Sequence, residues 1–344
     1  MDDDEALRRF RNYMGAIRQG IGEENYLLSC WGVLTPNIGI VDAMRIATDA
    51  NASDDSFRMQ VAESARWHHT HGILYLNDPD YICLRRNAAP ARTLAALVSL
   101  NGYLYMISDD ISAYNEEKLD IARKTMPPVD GAMTAETGAL DTLSGMNYYR
   151  NILSPRVGET PLSHGNLWAT HYYRYGRTWA TVTLIHTWKG ESPAKVEIPI
   201  ENLGLDPELE YTAFDFWKQE PLGIARGSIA VAVPEYLDST LLALTPVSDE
   251  VQLIGSSRHV SMDAVSVKGM TRSDDALEIN LEGPEGSYAD YWFTVPDGTD
   301  VSCSEDVTIT RTDRYLKCRV GFTSTQRLLT LKVRRACSSS CKER

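Results

Sequence analysis

The 344-residue sequence contains no apolar run that approaches the roughly 18 uninterrupted residues needed to cross a membrane. It also lacks a basic patch with interleaved aromatic residues, and its formal net charge is −13. Such an excess of negative charge repels nucleic acid and anionic lipid, so we expect neither a nucleic-acid partner nor a membrane partner. The composition, 43% hydrophobic and 24% charged, is that of a globular protein.

Signals for metal binding and secretion are missing as well. The six cysteines have no zinc-like spacing, and no histidine lies near the last four, which are Cys303, Cys318, Cys337 and Cys341. Cys303 and Cys318 are spaced to pair across a hairpin, although a disulfide scaffold is unusual at this chain length. The first ten residues are acidic and lack the apolar segment of a signal peptide. If Met1 is an internal methionine of a longer product, the lack of a signal peptide gives no information on secretion. The sequence therefore does not assign a cellular compartment.

The first part of the chain alternates helical and strand patterns. Apolar residues between Leu7 and Ile21 recur every three or four positions, as on one face of a helix. Short apolar runs predict four strands, at residues 26–32, 43–49, 72–80 and 103–110, and helical patterns occur at 56–69, 89–100 and 115–126. Such alternation is typical of parallel strands joined by crossover helices.

Every predicted strand ends in polar or reactive side chains. They are Cys30 and Trp31 after the first strand, Asp49 after the second, Asp78 and Asp80 after the third, and Ser108 to Asp110 after the fourth. In a β/α barrel the carboxyl ends of all strands share one face, which is the face where active sites lie. We therefore expect Asp49 to point into a site.

Beyond residue 127 the pattern changes to short alternating strands at the spacing of a β-sandwich. The predicted fold class is therefore mixed α/β plus all-β. The last four βα units of a (β/α)8 TIM barrel cover residues 1–126, an antiparallel β-sandwich covers 127–335, and a flexible tail covers 336–344. Four βα units leave two open strand edges, which a complete barrel removes by closure. Either this half-barrel forms a homo-oligomer, or the chain begins in the middle of a longer gene product.

Several segments resemble a known enzyme family. In order, YLLSCWGVLTP, IGIVDAMRIATD, LYLNDPDYICLR, SLNGYLYMISDD and MPP resemble the C-terminal half of the catalytic barrel of melibiase-type α-galactosidases, glycoside hydrolase families 27 and 36. WATVTLIHTW, LGLDPELEYTAFDFWKQEPLG and VQLIGSSRHVSMDAV resemble their C-terminal sandwich. The resemblance runs over roughly residues 5 to 295. Its most specific elements are Arg45-x-x-x-Asp49 and the run Asn77-Asp78-Pro79-Asp80.

The resemblance implies a retaining glycosidase that cleaves terminal α-linked galactose from oligosaccharides or glycoconjugates. In such an enzyme Asp49 would be the acid/base, and Arg45 would bind a sugar hydroxyl. Cys30 and Trp31 would wall the galactose subsite, and Asp78 is a further candidate for substrate binding. This chemistry requires neither a metal ion nor an organic cofactor.

Retaining hydrolysis needs two carboxyl groups about 5–5.5 Å apart. One attacks the anomeric carbon, while the other protonates the leaving oxygen and later activates water. The acid/base needs a raised pKa, which apolar Trp31 and the charge of the nucleophile would provide for Asp49. The family's nucleophile lies on a strand before the first helix seen here, where this sequence offers no candidate, so we expect the chain to be inactive alone. A second departure is Asn101-Gly102, where the family usually has two glycines.

Each assignment has a structural alternative. Aspartate at the position of Asp49 often caps a helix, and Arg45 is also suited to pairing with a buried carboxylate. Cys30 suits a small core position. Asp78 and Asp80 flank a proline, in a sequence that favours a tight turn.

The sequence also contains a group of histidines and a glycosylation sequon, and it is compatible with a second function. His68, His69 and His71 resemble a metal cluster, but they fall at the predicted end of a helix, where the helix dipole favours histidine. Asn51-Ala52-Ser53 is a glycosylation sequon, which we expect to be unmodified so close to Asp49. The alternative function is a non-catalytic carbohydrate-binding or interaction protein that kept the half-barrel and the sandwich.

Overall fold

The computed structural model of the protein describes residues 3–30, 34–129, 135–139, 166–188 and 192–335. Trp31 and the predicted tail, residues 336–344, lie outside these ranges. Over the described residues the chain combines helices with parallel and antiparallel sheets. The mixed class predicted from the sequence is therefore confirmed. No helix in the described part of the chain is long and apolar enough to cross a membrane.

The N-terminal part contains four α-helices and three short strands. In chain order they are α1 (Asp3–Ile21), β1 (Leu28–Ser29), β2 (Ala43–Arg45), α2 (Asp54–Trp67), β3 (Leu76–Asp78), α3 (Ala88–Asn101) and α4 (Glu116–Thr125). The three strands form a parallel sheet in the order β1-β2-β3. In the register of this sheet, Arg45 at the end of β2 lies beside Asp78 at the end of β3.

The strands are shorter than the sequence predicts, and the predicted fourth strand is not continuous. Residues 103–108 form no strand. The backbone N–H of Leu104 donates to Asn77 O at 3.0 Å, and that of Ile82 donates to Met106 O at 2.8 Å. Because these bonds are isolated, the segment follows the edge of β3 without being a strand.

Local sequence signals explain where the helices begin and end. Ser53 caps α2, since its Oγ accepts from Ser56 N at 3.2 Å, and Asn115 caps α4 in the same way through Lys118 N at 3.0 Å. Helix α3 ends at Gly102, whose φ is +68°, and a Cβ there would lie 2.4 Å from Val129 O. Only glycine fits this position, because any side chain meets the backbone of the segment that leads to the β region.

The remaining elements are β-strands. The first group is β4 (Ala135–Ala139), β5 (Leu167–Arg174), β6 (Arg177–Ile185), β7 (Lys195–Pro199), β8 (Tyr211–Asp215), β9 (Glu220–Ala225), β10 (Ser228–Ala232) and β11 (Ser239–Pro246). The second group is β12 (Gln252–Ser256), β13 (Val267–Arg272), β14 (Ala276–Glu282), β15 (Tyr288–Thr294), β16 (Thr299–Ser302), β17 (Thr308–Thr312), β18 (Tyr315–Gly321) and β19 (Gln326–Arg335).

The two groups of strands build different sheets. The first group forms a six-stranded sheet, β4-β5-β6-β11-β8-β9, and a two-stranded sheet, β10-β7. The second forms two four-stranded sheets, β12-β15-β18-β17 and β13-β14-β19-β16, and all these pairings are antiparallel. The four-stranded sheets enclose a core of their own, which includes Leu253, Ile279, Phe293 and Leu331. The region predicted as one sandwich thus holds two sets of sheets, here called the first and second β unit.

Helix α3 joins the N-terminal part to the first β unit. Its apolar residues share a buried cluster with Trp168, Ile185 and Leu237. At the same surface Arg92 Nε donates to Asp238 Oδ1 at 2.9 Å, and Arg92 Nη2 makes a second, short bond to Oδ2. The Ala- and Leu-rich sequence of α3 is explained by this position, because the helix is covered on most sides.

Candidate functional site

The carboxyl ends of β2 and β3 bring three charged side chains together. Arg45, the last residue of β2, donates from Nη2 to Asp49 Oδ1 in a short hydrogen bond. Its Nη1 lies 3.7 Å from Asp80 Oδ2, and its Nε donates to Ala47 O at 3.2 Å. The guanidinium is largely buried, with 12% of the side chain exposed, whereas 91% of the Asp49 side chain is exposed. We call Arg45, Asp49 and Asp80 the strand-end cluster.

The surroundings of Arg45 keep its guanidinium charged. Burial lowers the pKa of Arg45, but the hydrogen bond to Asp49 and the charge of Asp80 outweigh burial and raise it overall. Cys30 follows β1 directly and is exposed. Because β1 pairs with β2 in parallel and Ser29 lies beside Met44, Cys30 lies at the same edge of the sheet as Arg45.

The sequence predicts a buried Asp49, but among the described residues no side chain covers its carboxyl, which is exposed. Its exposed carboxyl contacts Arg45, and the tryptophan expected to cover it, Trp31, lies outside the described ranges. Asp49 does not cap helix α2 either, because Ser53 occupies that position. The carboxyl is therefore free to meet a ligand from the solvent side.

Asp80 fixes the loop that follows β2. Its backbone is left-handed, with φ of 69°, which turns the carboxylate back towards β2. Asp80 Oδ2 accepts from Ala50 N at 2.6 Å, and Oδ1 accepts from Tyr81 N at 2.8 Å. The sequence predicted a tight turn around Pro79, whereas residues 79–83 form no turn, and Asp80 instead contacts Arg45.

Asp78 lies beneath the strand-end cluster. Its side chain is fully buried, Oδ1 accepts from Asp80 N at 2.8 Å, and Oδ2 has no hydrogen-bond partner. Burial raises its pKa to about 6, and the charge of Asp80 adds to this, while the bond from Asp80 N and the charge of Arg45 act in the opposite direction. In this position Asp78 supports the backbone at Asp80 and has no open path to a ligand.

A second layer of side chains holds the Asp49 loop in place. Buried Arg86 donates to Asn51 O at 2.9 Å from Nε and to Gln60 Oε1 at 2.7 Å from Nη2. The hydroxyl of Tyr81 donates to Ala50 O at 3.0 Å. Sequence reasoning missed Tyr81 and Arg86, since the signal, a tyrosine and an arginine just after Asp80, is weak without the contacts.

The three histidines near the end of α2 make local contacts. His71 Nδ1 accepts from Asn77 N at 3.0 Å, and His68 Nδ1 lies 3.0 Å from the hydroxyl of Tyr103. Burial, with a smaller effect of His68, lowers the pKa of His71 to about 4, so the ring is neutral over most of the pH range. Within the described ranges, no group of three or more His, Cys, Asp or Glu residues is placed to hold a metal ion.

The strand-end cluster can supply one exposed carboxyl next to a positive charge. Asp78 and Asp80, the other carboxylates here, are both bound to backbone N–H groups. Such a set can position a polar ligand through Arg45 and exchange a proton with it through Asp49. It does not by itself supply the free pair of carboxyl groups that retaining glycoside hydrolysis requires.

Comparison with known proteins gives a likeness of fold. No family model matches the sequence. A GH27 β-L-arabinopyranosidase from Geobacillus stearothermophilus aligns with a TM-score of 0.50 and 15% identity, over 70% of this chain and 55% of that chain. An α-galactosidase I from Mortierella vinacea aligns with a TM-score of 0.46 and 15% identity, over 71% of this chain and 64% of that one. A putative α-galactosidase from Bacteroides fragilis NCTC 9343 aligns with a TM-score of 0.45 and 12% identity, over 72% of this chain and 53% of that one.

At these identities the likeness concerns the fold. The chain spans just over half the length of the arabinopyranosidase that it matches. The resemblance inferred from the sequence is confirmed to this extent: the chain shares its fold with part of a glycoside hydrolase of family 27.

Proposed function

We propose that this chain is the C-terminal part of a retaining glycoside hydrolase of the α-galactosidase type. In this proposal the N-terminal elements, up to residue 126, are the C-terminal half of a (β/α)8 barrel, and the two β units follow them. The observation that carries the proposal is the strand-end cluster, in which the guanidinium of Arg45 lies between Asp49 and Asp80. It sits at the carboxyl ends of parallel strands, where barrel enzymes place their catalytic groups.

The exposure and contacts of each side chain then suggest its role in the reaction. Asp49 is the acid/base, because its carboxyl is the exposed one. Arg45 binds a sugar hydroxyl through guanidinium N–H groups, and Asp80 holds the loop that carries Asp49. Asp78 supports Asp80 from below and acts on the substrate only through it. Cys30 and Trp31 wall the subsite for the terminal sugar.

The reaction proceeds in two displacements. In this proposal a nucleophilic carboxylate from the other half of the barrel attacks the anomeric carbon while Asp49 gives its proton to the glycosidic oxygen. Asp49 then takes a proton from water, which attacks the glycosyl ester and releases the sugar with its configuration retained. The substrate is a terminal α-linked galactose of an oligosaccharide or glycoconjugate.

The first test is an assay of the purified chain on an aryl α-galactoside. We expect no turnover above the buffer rate, because an acid/base without a nucleophile cannot form the covalent intermediate. Turnover that follows the protein through purification would refute the proposal that the nucleophile is missing.

The second test supplies the missing half, by extending the gene upstream or by co-expressing the complementary half of a GH27 enzyme. Turnover should then appear, and Asp49→Asn should abolish it. If the joined halves fold and bind galactose but remain inactive, the non-catalytic alternative is correct.

A further inference from the structure

Two cysteine side chains meet inside the second β unit. Cys303 follows β16 and belongs to one four-stranded sheet, while Cys318 lies in β18 of the other. Cys318 is fully buried in the core between these sheets, and partly buried Cys303 packs against the same core. The other two cysteines among the described residues, Cys30 and Cys83, lie in the N-terminal part.

The chain path brings Cys303 next to the strand that pairs with β18. The Cys303 thiol is 3.8 Å from Val307 O, at the end of the short turn that leads into β17. Strand β17 pairs with β18, so that Ile309 lies beside Cys318 in the register. The carbonyl that accepts from Cys303 thus lies two residues from the strand partner of Cys318, and each thiol interacts with the other closely enough to affect its pKa.

We propose that Cys303 and Cys318 form an intrachain disulfide that links the two sheets of the second β unit. Both side chains belong to the same apolar core, with Cys318 inside it and Cys303 packed against it. The bond would close a loop of about 15 residues, a length at which a crosslink removes substantial entropy from the unfolded chain.

The bond forms by exchange with a small disulfide such as oxidised glutathione. The thiolate of Cys303, the more accessible of the two, attacks one glutathione sulfur, and a glutathione thiolate leaves. The thiolate of Cys318 then attacks Cys303 Sγ and displaces the second glutathione. The protein loses two protons and two electrons, and the electrons reduce one glutathione disulfide to two thiols.

Burial makes this exchange slow at neutral pH. It raises the pKa of the Cys303 thiol, with Asp306 adding to the effect and the hydrogen bond from Cys318 opposing it. It raises the pKa of the Cys318 thiol as well, and Cys303 adds to that rise. Since only a thiolate attacks a disulfide, oxidation should accelerate as the pH rises.

Peptide mapping tests the proposal directly. The full chain is incubated with oxidised glutathione at about pH 8, free thiols are blocked with iodoacetamide, and the protein is digested with trypsin without reduction. Trypsin releases Cys303 in the peptide 273–311 and Cys318 in the dipeptide 318–319. We expect the two to be linked, and the linked species to disappear on reduction. Recovery of both cysteines as alkylated peptides, or as links to glutathione or to another cysteine, would overturn the proposal.

Thermal unfolding provides an independent readout with matched variants. Oxidation should raise the unfolding midpoint of the second β unit by about 10 °C. The same shift is expected in Cys83→Ser, a buried cysteine of the N-terminal part, and no shift in Cys303→Ser. A shift that persists in Cys303→Ser would show that another thiol is responsible and would contradict the assignment.

Discussion

The buried carboxyl of Asp78 should make the stability of the protein depend on pH in a direction opposite to that of an ordinary paired aspartate. In the folded protein its pKa is raised from 3.8 to about 6, chiefly by burial. Between these two values the folded protein holds the proton while the unfolded chain releases it. Stability contributed by this group is therefore greatest in acid and is lost as the pH rises through about 6. A shift of about two units corresponds to about 3 kcal/mol.

The variant Asp78→Asn isolates this contribution. Asparagine keeps an oxygen that can accept from Asp80 N, as Asp78 Oδ1 does, but it carries no titrating proton. Other groups titrate equally in both proteins and cancel in the difference of their free energies of unfolding. We expect that difference to move by about 3 kcal/mol in favour of asparagine between about pH 4 and pH 7. Urea unfolding at several pH values measures it. A difference that stays constant across this range would refute the argument that burial raises the pKa of Asp78.

Two further predictions concern how the parts of the chain are held together. Arg92→Ala should lower the free energy of unfolding by about 1.5–3 kcal/mol, because it leaves the largely buried carboxylate of Asp238 without its charged donor. The exposed pair of Arg226 and Glu208 is the control, and Arg226→Ala should change little; equal effects of the two substitutions in urea unfolding would contradict this. Limited proteolysis should cut first within residues 1–125, where the sheet consists of strands of two or three residues with open edges, whereas the β units have longer ladders. Survival of that region after the β units are degraded would show the opposite order of stability.

The sequence predicted the location of the strand-end cluster from simple regularities. Polar residues at the ends of successive strands placed Arg45, Asp49 and the Asp78–Asp80 run at one edge of the sheet, and the structure brings them together there. The four-residue spacing of Arg45 and Asp49 is compatible with their direct contact across a short loop. These features depend on local order along the chain, which a sequence displays.

The sequence did not predict that Asp78 is buried while Asp80 contacts Arg45. They are two residues apart, yet the left-handed backbone at Asp80 directs its carboxylate to Arg45, while Asp78 points into the interior. This separation depends on a backbone angle that an aspartate adopts only because Ala50 N and Tyr81 N bind its carboxylate. One of these partners, Ala50 N, comes from another loop, so the sequence around Asp80 alone does not determine the angle.

The sequence also did not predict that the β region is divided into two β units. Short alternating strands have the same appearance whether they join one pair of sheets or two. The structure separates them because apolar residues such as Ile279 and Phe293 pack with each other across the two four-stranded sheets, apart from the first β unit. Long-range pairing of this kind is set by tertiary packing.

The most direct test of the proposed function is azide rescue of Asp49→Ala in the chain co-expressed with the complementary barrel half of a GH27 enzyme. General acid–base catalysis contributes about 10²–10⁴-fold, so turnover of natural α-galactosides should fall by that factor. Aryl α-galactosides with good leaving groups should react normally in the first step and then stall, because water lacks its base. Azide, which needs no base, should restore turnover and yield the glycosyl azide with retained anomeric configuration. If good and poor leaving groups slow equally and azide has no effect, Asp49 is not the acid/base.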